Sequence, residues 1–268
     1  MQSRENGHNN IWLIAGTGEG HRLANLLVEK GWQVTVSVVN DSACLPYQEI
    51  SLKSIRIGPL QGVEGIKGVL QEAFSLHKGF NWVIDATHPF AVEISANLQN
   101  ACKEFDQPLV CFERPIEDFR NAYLIGDIKE LSRYSLHGRN FLMAIGARHL
   151  RRAVDYVHEA GANVFARVLP TPESLRQSLM CSFPESHLAV IRPFEGTEKI
   201  SYERGLCRRW SISDVLCRQS GGLTEQLWKN LCEEEKINLW LITRPKFDRE
   251  VEAMHNFDSI LERISSFQ

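Results

Sequence analysis

NWVIDATHPFAVEIS, residues 81–95 of the 268-residue chain, decides how the rest is read. Trp82, Val83 and Ile84 form a short apolar run that closes on Asp85, and Pro89 has the fixed φ that suits the first turn of a helix opening near Phe90. The stretch predicts strand, tight turn, helix, with Asp85, Thr87 and His88 at the carboxyl edge of a buried strand. In open α/β sheets that edge is where ligands sit. A purely structural reading, with Thr87 as a helix cap and His88 as an ordinary loop histidine, accounts for the spacing equally well.

Upstream, residues 11–15 (IWLIA) are another apolar run, followed by a flexible turn from Gly16 to Gly20. Leu23, Leu26 and Leu27 then recur at helical spacing before Gly31, and Val34, Val36, Val38 and Val39 read as a second strand. This is a strand, glycine turn, helix, strand unit of the dinucleotide-binding kind, in which backbone N–H groups at a helix N-terminus receive a pyrophosphate. The spacing is G-x-G-x-G, with His21 where the usual fingerprint has its third glycine, so the loop alone reads equally as a tight turn into a helix. The second strand ends on Val39 and Asn40 without a carboxylate, Asp41 falling in the loop beyond. That permits a ribose 2′-phosphate, with Ser37, His21 and Arg22 as its candidate donors.

Downstream the alternation continues: a weak strand at 54–57, a helix at 63–76, and a strand at 108–112 that leaves Arg114 on the same edge as the glycine turn. Residues 116–121 form a polar crossing point. Beyond it, strands are expected at 140–145, 163–168, 188–191, 212–216 and 238–243. Helices are expected from 148, at 198–207 and 224–234, and within 248–267. The fold class is therefore α/β, two Rossmann-like parallel-sheet domains facing each other across a cleft, divided into residues 1–118 and 119–268. In the second half Arg148 (after Gly146), Arg167, Arg192 and Arg218 (with Ser220 and Gly221) fall at or just after strand ends, and each guanidinium can fork onto one carboxylate. Arg151, Arg152, Arg208 and Arg209 read as solvated helix charges.

Composition closes off several functions. A formal net charge of -3 gives no general attraction to nucleic acid or anionic membrane. Seven cysteines with no C-x-x-C pair indicate neither a disulfide framework nor a zinc knuckle, which fits a reducing compartment. No stretch approaches a membrane span, so a soluble, cytoplasmic protein is expected. No G-x-S-x-G elbow or H-E-x-x-H pattern points to hydrolysis or metal catalysis, and no metal site is expected. None of the five tyrosines is followed four residues later by lysine, as a short-chain dehydrogenase requires.

The words DATHPFAVEISAN (85–97), IWLIAGTGEG (11–20), RVLPTPESL (167–175), RPF (192–194), CRQSGG (217–222) and TRP (243–245) together resemble the precorrin-6A reductase family of cobalamin biosynthesis, in the same order along nearly the whole chain. The resemblance implies NADPH, with NADH as an alternative, in the first domain, and a many-carboxylate tetrapyrrole on the second. It makes Gly16, Thr17, Gly18, Glu19, His21, Arg22, Ser37, Asp85, Thr87, His88 and Pro89 the cofactor set, and Arg114, Arg148, Arg167, Arg192, Arg218, Ser220 and Gly221 the substrate set. His88 is the candidate proton donor, and neighbouring pathway enzymes are candidate partners. Relatives often carry arginine at the position of His21, and lysine and an acidic residue at those of Arg218 and Gln219. A non-catalytic dinucleotide-binding regulatory module, or another small-molecule NAD(P) oxidoreductase, is the alternative.

Overall fold

Most strands are short and largely apolar, and most long connections carry a helix. The computed structural model describes residues 9–77, 79–117, 121–191 and 199–266. In chain order come β1 (Asn10–Ala15), α1 (Gly18–Glu29), β2 (Gln33–Val38), α2 (Asp41–Cys44), β3 (Ser54–Ile57), α3 (Gly62–His77), β4 (Trp82–Ala86), α4 (Val92–Glu104) and β5 (Leu109–Phe112). They are followed by β6 (Ala122–Ile125), β7 (Asn140–Met143), α5 (Leu150–Glu159), β8 (Asn163–Val168), α6 (Pro172–Leu179), β9 (Leu188–Val190), α7 (Lys199–Arg209), β10 (Asp214–Arg218), α8 (Leu223–Glu235) and β11 (Asn238–Ile242). The chain closes with β12 (Ala253–Met254) and α9 (Phe257–Ser265).

Two six-stranded sheets result, ordered β12-β5-β4-β1-β2-β3 and β6-β11-β10-β7-β8-β9, and each neighbouring pair is parallel. Counted from β1 and from β7, both follow the doubly wound order 3-2-1-4-5-6. The sixth position is filled differently. In the first sheet it is taken by β12, from the far end of the chain, and in the second by β6, which precedes all its partners.

The compact units are accordingly Met1–Pro115 with Lys246–Gln268, and Ile116–Pro245. This corrects the expected division at 118 and the expected place of the C-terminal stretch. Met254 pairs with Phe112 in the first sheet, and Ile260 and Ile264 of α9 are fully buried in that unit's core.

Both faces of each sheet are covered, which is why strands such as β1 are buried at every residue. In the first unit Ile11, Leu13 and Val36 pack under α1 and α9, while Trp12, Ile14 and Val83 pack under α3 and α4. In the second, Val215, Cys217 and Leu241 meet Cys207 of α7 with Trp228 and Leu231 of α8. α1 and α5 end alike: Gly31 and Gly161 take positive φ (85° and 86°), and Trp32 and Ala162 N–H groups return to the Leu27 and Val157 carbonyls.

Several boundaries differ from expectation. α4 starts at Val92 rather than near Phe90, because Ala91 N–H closes a turn on His88 O (2.7 Å) and leaves Pro89 ahead of the helix. α6, opened by the Thr171 cap and Pro172, and the edge strand β6 were not expected. Much of 248–267 is connection and edge strand, so its helix is α9 alone.

Candidate functional site

In the first unit the strand order reverses between β1 and β4, so the turns leaving those strands form the candidate ligand edge. Gly16 backs onto the second turn, where an added Cβ would stand 3.3 Å from His88 N. Gly18 opens α1, and a Cβ there would meet nothing within 4 Å, so the helix N-terminus faces open space that suits an anion. Gly20 is the packing glycine: its Cβ would come within 2.8 Å of both Ala15 Cβ and Tyr47 Oη. The role usually held by the fingerprint's third glycine is thus filled one position early, which the alternating spacing signalled and the motif template hid.

Thr17 caps α1 in position but without a side-chain bond to it. Glu19 is bound by the Arg114 guanidinium. Burial pushes the Glu19 carboxyl up, yet the hydrogen bond and charge of Arg114 outweigh it and hold Glu19 below its ordinary value. Arg114, expected with the substrate set, is therefore committed to the glycine turn.

Three cofactor candidates have their side chains committed within the fold. Ser37 is buried, its hydroxyl accepting the Trp12 indole N–H at 2.8 Å, so it does not face the loop. Asp85 is also buried and holds the turn together: Oδ1 accepts from Thr87 N–H (3.0 Å) and Oγ1 (2.7 Å), and Oδ2 accepts from Ser95 Oγ (2.6 Å). The Thr87 hydroxyl consequently points inward and caps nothing. Asp85 and Thr87 shape the edge, leaving His88 and Pro89 partly exposed on it. His88 Nδ1 accepts the Phe90 N–H at 3.2 Å, which assigns a ring proton to Nε2. His21 lies edge-on to Tyr47, with centroids 5.7 Å apart, whereas Arg22 lies over Phe257 of α9.

In the second unit the order reverses between β7 and β10. Gly146 has φ 82°, and its Cβ position lies 3.9 Å from Arg218 Nη2. Arg148 is exposed one turn away. Burial and then the Arg148 charge lower Arg218 from its ordinary value, and burial followed by Arg218, Arg148 and Arg152 lowers His149. This edge is strongly electropositive. The turn after β10 behaves otherwise than expected, because the Gly221 N–H is given to the buried Glu225 carboxylate. Burial raises Glu225 despite bonds from Gly221 and Ser220. Glu225 occupies the third position of α8 and reaches back past the Gly222 cap, which has no side chain to complete a capping box, so no local motif flagged it. Gln219 accepts Arg244 N–H groups at its side chain (3.3 Å) and backbone (3.0 Å), tying in the TRP word.

Arg167 is corrected as well. It is buried and ion-paired with Glu203 of α7 at 3.4 Å rather than exposed for a ligand. Arg192 lies outside the described residues. Among the described residues no group of three or more His, Cys, Asp or Glu could hold a metal, and no helix is long and apolar enough to cross a membrane.

A family model described as precorrin-6x reductase CbiJ/CobK matches residues 10–265. The cobalt-precorrin-6A reductase of Synechocystis sp. is 29% identical over 88% of this chain and 88% of that protein. The precorrin-6A reductase of Mycobacterium tuberculosis is 26% identical over 91% and 92%. A solved structure described as CobK precorrin-6A reductase aligns with a TM-score of 0.77, at 22% identity and 96% coverage of each chain, a likeness of fold.

Proposed function

The chain belongs to the precorrin-6x reductase family, and from that membership we infer an oxidoreductase that reduces one double bond of precorrin-6A in cobalamin biosynthesis, with NADPH as its hydride donor. The observation that carries the reading is the family match across residues 10–265, nearly the whole chain. Curated relatives of similar identity bear both the cobalt and the metal-free substrate name, so the substrate's metal is decided by assay.

The residues of the first unit fit a dinucleotide. Backbone N–H groups from Gly16 to Glu19 would hold the pyrophosphate over the open N-terminus of α1. The 87–89 turn, stiffened by Asp85, would support the nicotinamide end. When bound, the reduced nicotinamide supplies the hydride. On the second unit Arg148 and Arg218 would fork onto substrate carboxylates, offsetting the repulsion these cations now exert on each other. Reduction also needs a proton. Because His88 Nδ1 accepts the Phe90 N–H, Nε2–H serves as an orienting donor, the proton coming from solvent or from the substrate's own nitrogens.

The test is to mix the protein with NADPH and precorrin-6A, with and without cobalt, and follow the loss of reduced-nicotinamide absorbance with the mass of the product. Consumption of one nicotinamide per macrocycle gaining two hydrogens is expected. No oxidation with either substrate would refute the reading.

A further inference from the structure

Resting on the dinucleotide reading of the first unit, we propose that His21 supplies the principal side-chain contact to the cofactor's ribose 2′-phosphate, so that this chain discriminates weakly between NADPH and NADH. A dinucleotide on the α1 N-terminus directs its adenosine ribose toward the end of β2 and the segment that follows it. That segment, residues 39–47, carries Asn40, Asp41, Ser42 and the buried Tyr47.

The cations that could serve the ribose point elsewhere. Arg22 lies over Phe257 of α9, on the β5 side of α1. Arg56 pairs with Glu72 of α3 at 2.9 Å, and Lys53 reaches Asn10 Oδ1, near the amino end of β1, at 2.9 Å. Arg114 is bound to Glu19. Ser37 is spent on Trp12. Asn40 Oδ1 accepts from Ala43 N–H (3.0 Å) and Ser42 Oγ (2.8 Å), which leaves its amide NH2 as a weaker, neutral donor there.

His21 is placed for the task. It closes the first turn of α1 and meets Tyr47 of the 39–47 segment edge-on (interplanar angle 79°), with the Tyr47 hydroxyl beneath Gly20. Neither ring nitrogen has a hydrogen-bond partner among the described residues, and the side chain is partly exposed. An imidazole offers a phosphate one N–H per nitrogen, where a guanidinium offers a fork. The exposed Asp41 carboxylate in the same loop opposes a phosphate and suits free ribose hydroxyls. Both features narrow the preference.

Dissociation constants for NADPH and NADH, read by nicotinamide fluorescence on the native chain and on His21→Ala, His21→Arg and Arg22→Ala, test the assignment without turnover. The native chain should favour NADPH by roughly tenfold or less, one charge-assisted contact's worth. His21→Ala should bring the two constants together with NADH affinity unchanged, and His21→Arg should widen the gap. An unaltered ratio in folded His21→Ala, or a ratio that collapses in Arg22→Ala instead, overturns the proposal while sparing the dinucleotide site. If the native chain binds neither nucleotide, the dinucleotide reading falls and takes this proposal with it.

Discussion

The two units share a strand order and a switch point, yet the edges they present differ in kind. At the first, the anion-receiving groups are backbone: Gly18 leaves the start of α1 bare, and the nearby charges cancel as Glu19 with Arg114. At the second, the backbone is withdrawn, since Glu225 takes the Gly221 N–H, and side-chain cations stand in its place. Bare N–H groups at a helix end match one compact diphosphate. Long guanidiniums match carboxylates scattered around a macrocycle. On the proposed reading, one topology would support two ligand classes by changing who donates.

The sharpest way to break this contrast is to remove the cations. Replacing Arg148 and Arg218 together by Gln should weaken tetrapyrrole binding about 100-fold, at about 1.5 kcal/mol per lost charge-assisted bond, and leave nucleotide affinity unchanged. Calorimetric titration with each ligand checks it. Loss of nucleotide binding in the double variant would show that the units do not divide the ligands.

On the other edge, Gly18→Val should cost at least about tenfold in NADPH affinity, about 1.4 kcal/mol, with the melting temperature unchanged because the added side chain enters open space. Gly20→Val is its internal control. There the side chain collides with Ala15 and Tyr47, and about 1–3 kcal/mol of stability should go first. If both variants melted early, the open space at Gly18 would not be the ligand's.

Acid should separate the units too. Glu19 is held below its ordinary value, so its contribution is present above the unfolded carboxylate range and is lost as pH falls through the folded value. Glu225 is raised, so the folded second unit binds the extra proton and loses stability as pH rises through that range. On acidification, hydrogen exchange corrected for intrinsic rate should quicken in α1 and slow in the 219–226 turn. Glu19→Gln and Glu225→Gln should each flatten one slope. Parallel shifts in both segments would contradict the opposite signs.

Which parts of this were legible follows from how strands are buried. The alternation of apolar runs and helical spacing located most strands and both switch-point turns. In a sheet covered on both faces every strand residue is buried, so periodicity cannot say where a polar side chain points. Ser37 in QVTVSV and Arg167 in NVFARV looked like edge groups for that reason, and both lie inside. The exchanged sixth strands were illegible for another reason. β12 is two residues long and β6 only four, and such edges draw their structure from a neighbour's open N–H and C=O groups rather than from their own pattern.

His88 gives the finest test of how the first edge works. A proton donor must cycle through the imidazolium, which requires Nδ1 to carry a proton and therefore to release the Phe90 N–H. An orienting donor needs only Nε2–H, which the amide of glutamine can imitate. His88→Gln should accordingly keep turnover within about threefold, and His88→Ala should raise the Michaelis constant for the nicotinamide more than it lowers turnover. The pH profile of turnover should be the same in all three proteins. Removing a positioned acid would instead lower turnover ~10²-fold in both variants and delete one ionisation from the profile. Steady-state kinetics across pH distinguishes the two, and a 10²-fold loss in the Gln variant would return His88 to the role of acid, making the 87–89 turn chemical as well as structural.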